Sequence, residues 1–285
     1  MDLLLHGGAG QASPEPATRQ QTLDTALEVG LEEPDPVAAV VAAITVLEAS
    51  PRFNAGVGGA VQADGVVRTD AGIMTSDRAV GAACSMPGVE RAVSVAREVL
   101  EQTPHICLAG SQATDFADTA GIETDRSLLT ADTRARWEAA DPPADGRAQL
   151  EWVTRHFGGA DTVGAVASDG TQLAAATSTG GRWFALPGRV GDVSQVGSGF
   201  YCSPVGAVSA TGAGEDIARV TLSRTVVDHL ESGVSAQLAA EQAIAEFERL
   251  TDSKAGVIVC AADGSLGHAC NTEEMQVSSG STPTG

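Results

Sequence analysis

Three Asp-Gly pairs, at positions 64–65, 169–170 and 263–264, each separate two runs with strand character. Such a pair between strand-forming runs signals a tight hairpin turn. Around them the order is hairpins, a helix pair, then hairpins again, with no regular alternation of strand and helix. Strand pairing of this kind has to reach between distant parts of the chain. The pattern points to helices outside two packed sheets, a four-layer αββα arrangement of the α+β class, and away from a doubly wound parallel sheet.

The segments fit that layout. Leu3 to Leu5 form an apolar run halted by His6-Gly7-Gly8-Ala9-Gly10, as for a buried strand that enters a glycine loop. A polar helix is expected over Thr18 to Val29. A second helix opens at Asp35-Pro36, a cap followed by proline at the first helical position, and Val37, Val40, Val41, Ile44 and Leu47 share one of its faces. Ala79 to Met86 reads as a strand, Val89 to Leu100 as a helix and Ile106 to Ala109 as a short strand. Residues 119–149 lack a sustained apolar pattern and are expected to form a mobile surface connection holding at most a loose helix. Further on, a strand near Ala207 to Ala210 leads into helices over Glu215 to Leu230 and Val234 to Leu250.

A chain of 285 residues can form one large layered domain or two small ones, and its 43% hydrophobic content suffices for a continuous core. The formal net charge of -20 repels phosphates and anionic headgroups, so neither nucleic acid nor a membrane surface is an expected partner. Lys254 is the one lysine, and so acidic a surface fits a salt-adapted, halophilic protein in which salt screens the self-repulsion. The five cysteines, Cys84, Cys107, Cys202, Cys260 and Cys270, have no C-x-x-C spacing and read as buried thiols, without a zinc or disulfide framework. The opening MDLLLHGGAG carries no basic leader, and no apolar run approaches the ~18 residues of a membrane span. A cytoplasmic location is therefore expected.

Common catalytic machinery is missing from the sequence: there is no H-E-x-x-H, G-x-S-x-G or G-x-x-x-x-G-K-[ST]. The five histidines are scattered, and each reads as structural. A hydrolase without a catalytic histidine needs another base, and a free α-amino group, with an ordinary pKa of ~7.7 to 8.0, can serve. That chemistry calls for a nucleophile at a chain terminus. Thr162 lies where the flexible Phe157 to Asp161 stretch meets a small-residue strand. Thr177-Ser178-Thr179-Gly180-Gly181 places hydroxyls at the end of the partner strand. Pro187 to Asp192 holds Arg189 and Asp192 in a glycine-bounded turn, where they could equally form a salt bridge with each other. Thr211-Gly212-Ala213-Gly214-Glu215 ends a strand at a helix start, where N–H groups can face a developing anion.

The ordered set HGGAG at 6–10, FNAGVG at 53–58, DAGIM at 70–74, DTVGAVA at 161–167, TSTGG at 177–181, PGRVGD at 187–192 and TGAGE at 211–215 resembles the plant-type asparaginase and isoaspartyl peptidase family. The resemblance spans nearly the whole chain. It implies a single N-terminal-nucleophile hydrolase domain over residues 1–285, which cuts itself before Thr162 into an α chain of residues 1–161 and a β chain of residues 162–285. By the same resemblance Thr162 is the nucleophile, its freed amine the base and Thr179 the residue that positions it. Arg189 and Asp192 bind the substrate's α-carboxylate and α-ammonium beside Gly214, Thr211 and Gly212 form the oxyanion hole, and Asn54 lies near the cleavage point. The implied substrates are L-asparagine and β-aspartyl dipeptides. No catalytic metal is implied, only a structural sodium held by loop carbonyls ahead of the DAGIM motif, and the assembly implied is a homodimer of αβ units.

Asp161 departs from the glycine usual in this family and matches the related glycosylasparaginases, where an aspartate in that place can help to deprotonate the threonine. Val193-Ser194 likewise replaces the usual Ser-Pro after Asp192. Glycosylasparaginase-like hydrolysis of N-glycosyl-asparagine and an uncleaved amino-acid-binding relic are the two alternatives.

Overall fold

In the computed structural model, which describes residues 1–144, 146–159 and 161–282, the leucines of the first strand, β1 (Asp2–Gly10), divide between two cores. Leu3 and Leu5 join a core shared with helices, and Leu4 joins a core shared with a second sheet. Alternation along a strand sends successive side chains to opposite faces, so an unbroken apolar run is what a strand between two apolar layers requires.

After β1 come α1 (Pro16–Leu31) and α2 (Pro36–Glu48), then β2 (Arg68–Thr75), β3 (Val80–Pro87), α3 (Ala92–Gln102), β4 (Leu108–Ala109) and α4 (Gly110–Thr119). α5 (Ala131–Ala140) and α6 (Gly146–His156) precede the hairpin of β5 (Val163–Ser168) and β6 (Leu173–Thr179). β7 (Phe200–Ser203), β8 (Gly206–Gly212), α7 (Gly214–Val220), α8 (Leu222–Glu231), α9 (Ala236–Thr251), β9 (Ala255–Ala261), β10 (Leu266–Cys270) and β11 (Glu274–Ser281) complete the order. One sheet has seven strands in the order β11-β1-β5-β6-β2-β3-β4, and the other has four in the order β10-β9-β8-β7.

α1, α2 and α3 cover the outer face of the larger sheet, α8 and α9 cover the outer face of the smaller, and β8 lies across β5 and β6 between them. This is the expected αββα sandwich. Alanine makes up much of the central hairpin: Ala165, Ala167, Ala174 and Ala176 face the helices, while Ala175 faces the second sheet. Short side chains let both layers approach the two strands closely. α2 begins as its sequence directs, with the Asp35 carboxylate accepting from Ala38 N at 2.9 Å, a cap worth about 1 kcal/mol.

Several details differ from the sequence reading. Around Asp64-Gly65 there is a turn closed by a single bridge, Val61 to Val67, and only its second arm continues as a strand. The expected helix over Glu215 to Leu230 is two helices, because Thr221 adopts φ 52° and breaks the ladder between α7 and α8. Cys84, Cys202 and Cys260 are buried, but Cys107 is exposed and Cys270 half-buried, since they lie beside or on the edge strands β4 and β10. The stretch 119–149 holds α5, closed by a reciprocal Thr130–Thr133 capping box, and the start of α6. Ala160, within the stretch expected to be flexible, lies outside the described residues.

Candidate active site

The hairpin register brings the first candidates together. Val163 pairs with Ser178, so the register continued by one residue sets Thr162 opposite Thr179 at the end of β6. β8, from the facing sheet, supplies Thr211, whose hydroxyl accepts a hydrogen bond from Thr162 N at 3.2 Å. Thr162 is only 6% exposed.

The peptide bond before Thr162 is held on its carbonyl side as well. Asp161 O accepts from Asn54 Nδ2 at 2.5 Å and from Thr179 Oγ1 at 3.3 Å. Asn54 is itself fixed, since its Oδ1 accepts from Ala60 N at 2.7 Å and its Nδ2 also donates to Gly181 O at 2.7 Å. It therefore shapes its turn and reaches the peptide bond before Thr162. Two donors on one carbonyl oxygen polarise that carbonyl and stabilise negative charge formed on it during attack by a neighbouring hydroxyl.

The Asp161 carboxylate turns towards α1. Arg19 Nη2 lies 3.4 Å from Asp161 Oδ2 and also donates to Gly7 O. Gly8, at φ 110°, makes room for this carboxylate: a β-carbon there would stand 2.3 Å from Asp161 Cβ. Burial pushes the Asp161 carboxyl above the usual range, and the Arg19 guanidinium offsets part of that rise. Beneath the hairpin, burial lowers His6 to about 3, so its ring is neutral; it shares a 2.9 Å hydrogen bond with Ser209, which in turn bonds Thr177.

Arg189 and Asp192 occupy the loop between β6 and β7. They do not pair with each other. Arg189 Nε pairs with Glu215 Oε1 at 2.8 Å, and the second oxygen of Glu215 pairs with Arg182 at 2.8 Å. Burial opposes ionisation of Glu215, but its bonds to Arg189 and Arg182 hold it down at about 2. Burial lifts Asp192 to about 6 against the pull of Arg189, and lifts Asp70, which accepts from Ser85 N, to about 7.

Arg189 Nη2 and Asp192 Oδ2 are buried without a hydrogen-bond partner. Both side chains border Gly214, where a β-carbon would lie 2.5 Å from Asp192 Oδ1 and 2.9 Å from Arg189 Nη2. Buried polar groups are nearly always paired. A free guanidinium nitrogen and a free carboxylate oxygen around a glycine suit a zwitterionic amino-acid head group, whose carboxylate and ammonium would complete both. In the uncut chain Phe157 lies over this corner, with Arg182 4.5 Å and Arg189 5.7 Å from its ring centroid.

A cavity of about 1340 Å³ runs from Asn54, Asp161 and Gly212 outwards past Arg182 and Trp183. Of the residues singled out in the sequence, Asn54, Asp161 and Gly212 line this cavity; Thr162, Thr179 and Thr211 join Asn54 and Asp161 through hydrogen bonds, and Arg189 and Asp192 meet at Gly214. Arg19, Asp70 and the bridging role of Glu215 were not visible in the sequence. The sparseness of cations was the one usable signal for Arg19, the only basic residue on α1. Among the described residues, no cluster of three or more His, Cys, Asp or Glu side chains is arranged to hold a metal, and no helix is long and apolar enough to cross a membrane.

Comparison with known proteins gives a consistent picture. A family model described as asparaginase matches residues 1–283. A plant-type L-asparaginase of Pyrobaculum calidifontis is 40% identical over 284 residues, covering 96% of this chain and 94% of the relative. An isoaspartyl peptidase/L-asparaginase of Danio rerio is 37% identical, covering 90% of this chain and 84% of the relative. A plant-type L-asparaginase of Pyrococcus horikoshii is 35% identical, covering 96% and 94%.

Proposed function

This chain belongs to the asparaginase family, and from that premise we propose that it is a self-processing amidohydrolase that cleaves the side-chain amide of L-asparagine and β-aspartyl dipeptides through Thr162. The observation that carries the reading is the pair of unpartnered buried atoms, Arg189 Nη2 and Asp192 Oδ2, at Gly214, three residues beyond the Thr211 that bonds Thr162 N, together with the two donors that grip the carbonyl before Thr162.

In this reading Thr162 Oγ1 first attacks the carbonyl carbon of Asp161, with the developing charge taken by Asn54 and Thr179. The acyl group moves from nitrogen to oxygen, and water hydrolyses the ester to leave residues 1–161 and 162–285. The freed amine then takes the proton of its own hydroxyl as Oγ1 attacks the substrate's side-chain carbonyl. Arg189 and Asp192 hold the head group beside Gly214. The Thr211 hydroxyl, released from Thr162 N, and the backbone at Gly212 stabilise the oxyanion. Ammonia or an amine departs, and water releases aspartate from the acyl-enzyme.

Incubation of the purified protein with asparagine and with β-Asp-Leu tests this. Release of ammonia and leucine is expected, and the absence of both from fully cleaved protein would overturn it. Asp161, held by Arg19, favours a second reading as a glycosylasparaginase, for which N-glycosyl-asparagine would be hydrolysed to aspartate and a free sugar amine. An uncleaved amino-acid-binding relic would stay at 28.8 kDa.

The family resemblance supports a cytoplasmic homodimer of αβ units, and the net charge of -20 supports adaptation to salt; the melting temperature should then rise from low to molar salt. A structural sodium belongs to the loop ahead of Asp70. Gly56, Val61, Gln62 and Val66 already accept backbone hydrogen bonds through their carbonyls, each with one lone pair left for a cation. Melting temperature in sodium against choline chloride tests that site.

A further inference from the structure

The chain has 17 basic residues against 37 acidic ones, yet the cavity beside the Asp161–Thr162 bond reverses that balance. Arg19, Arg52, Arg136, Arg182 and Lys254 line it, against two carboxylates, Asp161 and Glu273, among the described residues. Four of the five cations are tied to acids: Arg19 to Asp161, Arg52 to Glu15, Arg182 to Glu215 and Lys254 to Glu248. Arg136 is different. Among the described residues it has no carboxylate within ion-pair distance, and its guanidinium lies 3.9 Å from the ring centroid of Trp183.

Stacking on an indole face fixes the plane of a guanidinium and leaves its N–H edge free for a planar anion. With the other four cations offset by their partners, Arg136 is the lining cation left to meet an anionic group. The cavity has room for more than the smallest substrate. Its volume of about 1340 Å³ exceeds the roughly 300–1,000 Å³ usual for small-molecule sites. Asparagine releases ammonia and has no group to extend from the reacting carbonyl towards Trp183. A β-aspartyl peptide does have such a group, the residue it releases.

We propose that the Arg136–Trp183 end of the cavity is a leaving-group subsite for carboxylates, which makes β-aspartyl peptides with an acidic released residue the preferred substrates. The proposal rests on the amidohydrolase reading above and adds no new chemistry. The amide C–N bond breaks, water supplies the hydroxyl of aspartate, and the departing amine takes up a proton.

The test is kcat/KM for β-Asp-Glu and β-Asp-Gln as their C-terminal amides, which match in length and shape and differ only in the side-chain carboxylate of the released residue, at a salt concentration where the protein is folded. The parent should favour β-Asp-Glu by about fivefold to tenfold, the size expected of a partly exposed charge-assisted contact. Arg136→Gln should bring the two values together, and Arg136→Lys should retain part of the preference. Equal values in the parent, or an undiminished preference in Arg136→Gln, would overturn the proposal while leaving the amidohydrolase reading in place. Hydrolysis of neither peptide would bring down that reading and the proposal with it.

Discussion

The side-chain amide of Asn54 and the carbonyl oxygen of Asp161 are 2.5 Å apart, although 107 positions separate them in the chain. This contact places a hydrogen-bond donor on the bond that self-cleavage must break. Asn54→Ala should therefore slow the appearance of two fragments by about 10²- to 10³-fold, the usual effect of removing one oxyanion donor. Gel electrophoresis over time measures it. Cleavage at the parental rate would show that Thr179 alone suffices.

In the proposed mechanism Arg189 binds substrate and takes no part at the bond before Thr162. Arg189→Ala should mature normally yet lose about tenfold to a hundredfold in kcat/KM, from charge-assisted bonds worth about 1.5 to 3 kcal/mol. Its partner gives a milder expectation. Glu215→Gln leaves both guanidiniums less firmly oriented and should raise KM more than it lowers kcat. An Arg189→Ala enzyme with parental kcat/KM would show that the head group binds elsewhere.

Arg19 governs the ionisation of Asp161 from a separate helix, at 3.4 Å. Burial already raises the Asp161 carboxyl, and loss of the cation raises it further. If the carboxylate takes the Thr162 proton, the pH profile for self-cleavage of Arg19→Met should move to higher pH. An unmoved profile would remove Asp161 from that step.

The sequence was most informative where chemistry and local structure coincide. Thr162, Thr179 and Thr211 stand at strand ends, the last two directly before a glycine, and hairpin pairing with sheet stacking then brings them together. Arg19 and Glu215 could not be found that way, because their partners come from distant elements and ion pairing has no sequence period. α5 was illegible for a related reason. It has no fully buried residue, and Thr130 capping, the Arg136–Trp183 stack and the packing of Trp137 and Ala140 hold it without a sustained apolar stripe. β11 is partly exposed and rich in serine, so its pairing with β1 left only a faint pattern.

Glu48 links α2 to the hairpin and to α3, its Oε1 accepting from Ser178 Oγ at 2.6 Å and Val93 N at 2.9 Å. Burial raises its pKa from 4.5 to about 8, so the folded chain keeps a proton that the unfolded chain releases. Its contribution to stability is complete below about pH 4.5 and is lost as pH rises towards 8. Glu48→Gln, which retains the accepting oxygen, should flatten the fall in unfolding free energy between about pH 5 and 8. Parallel slopes in denaturant titrations would show that Glu48 is ionised in the fold.

The central claim is that Thr162 makes itself the nucleophile it later uses, and one preparation can test both halves. Active protein should consist of two fragments, the second beginning Thr-Val-Gly on Edman sequencing, while Thr162→Ala should remain a single inactive chain of 28.8 kDa. Full asparaginase activity from a preparation containing only the intact chain would contradict the account.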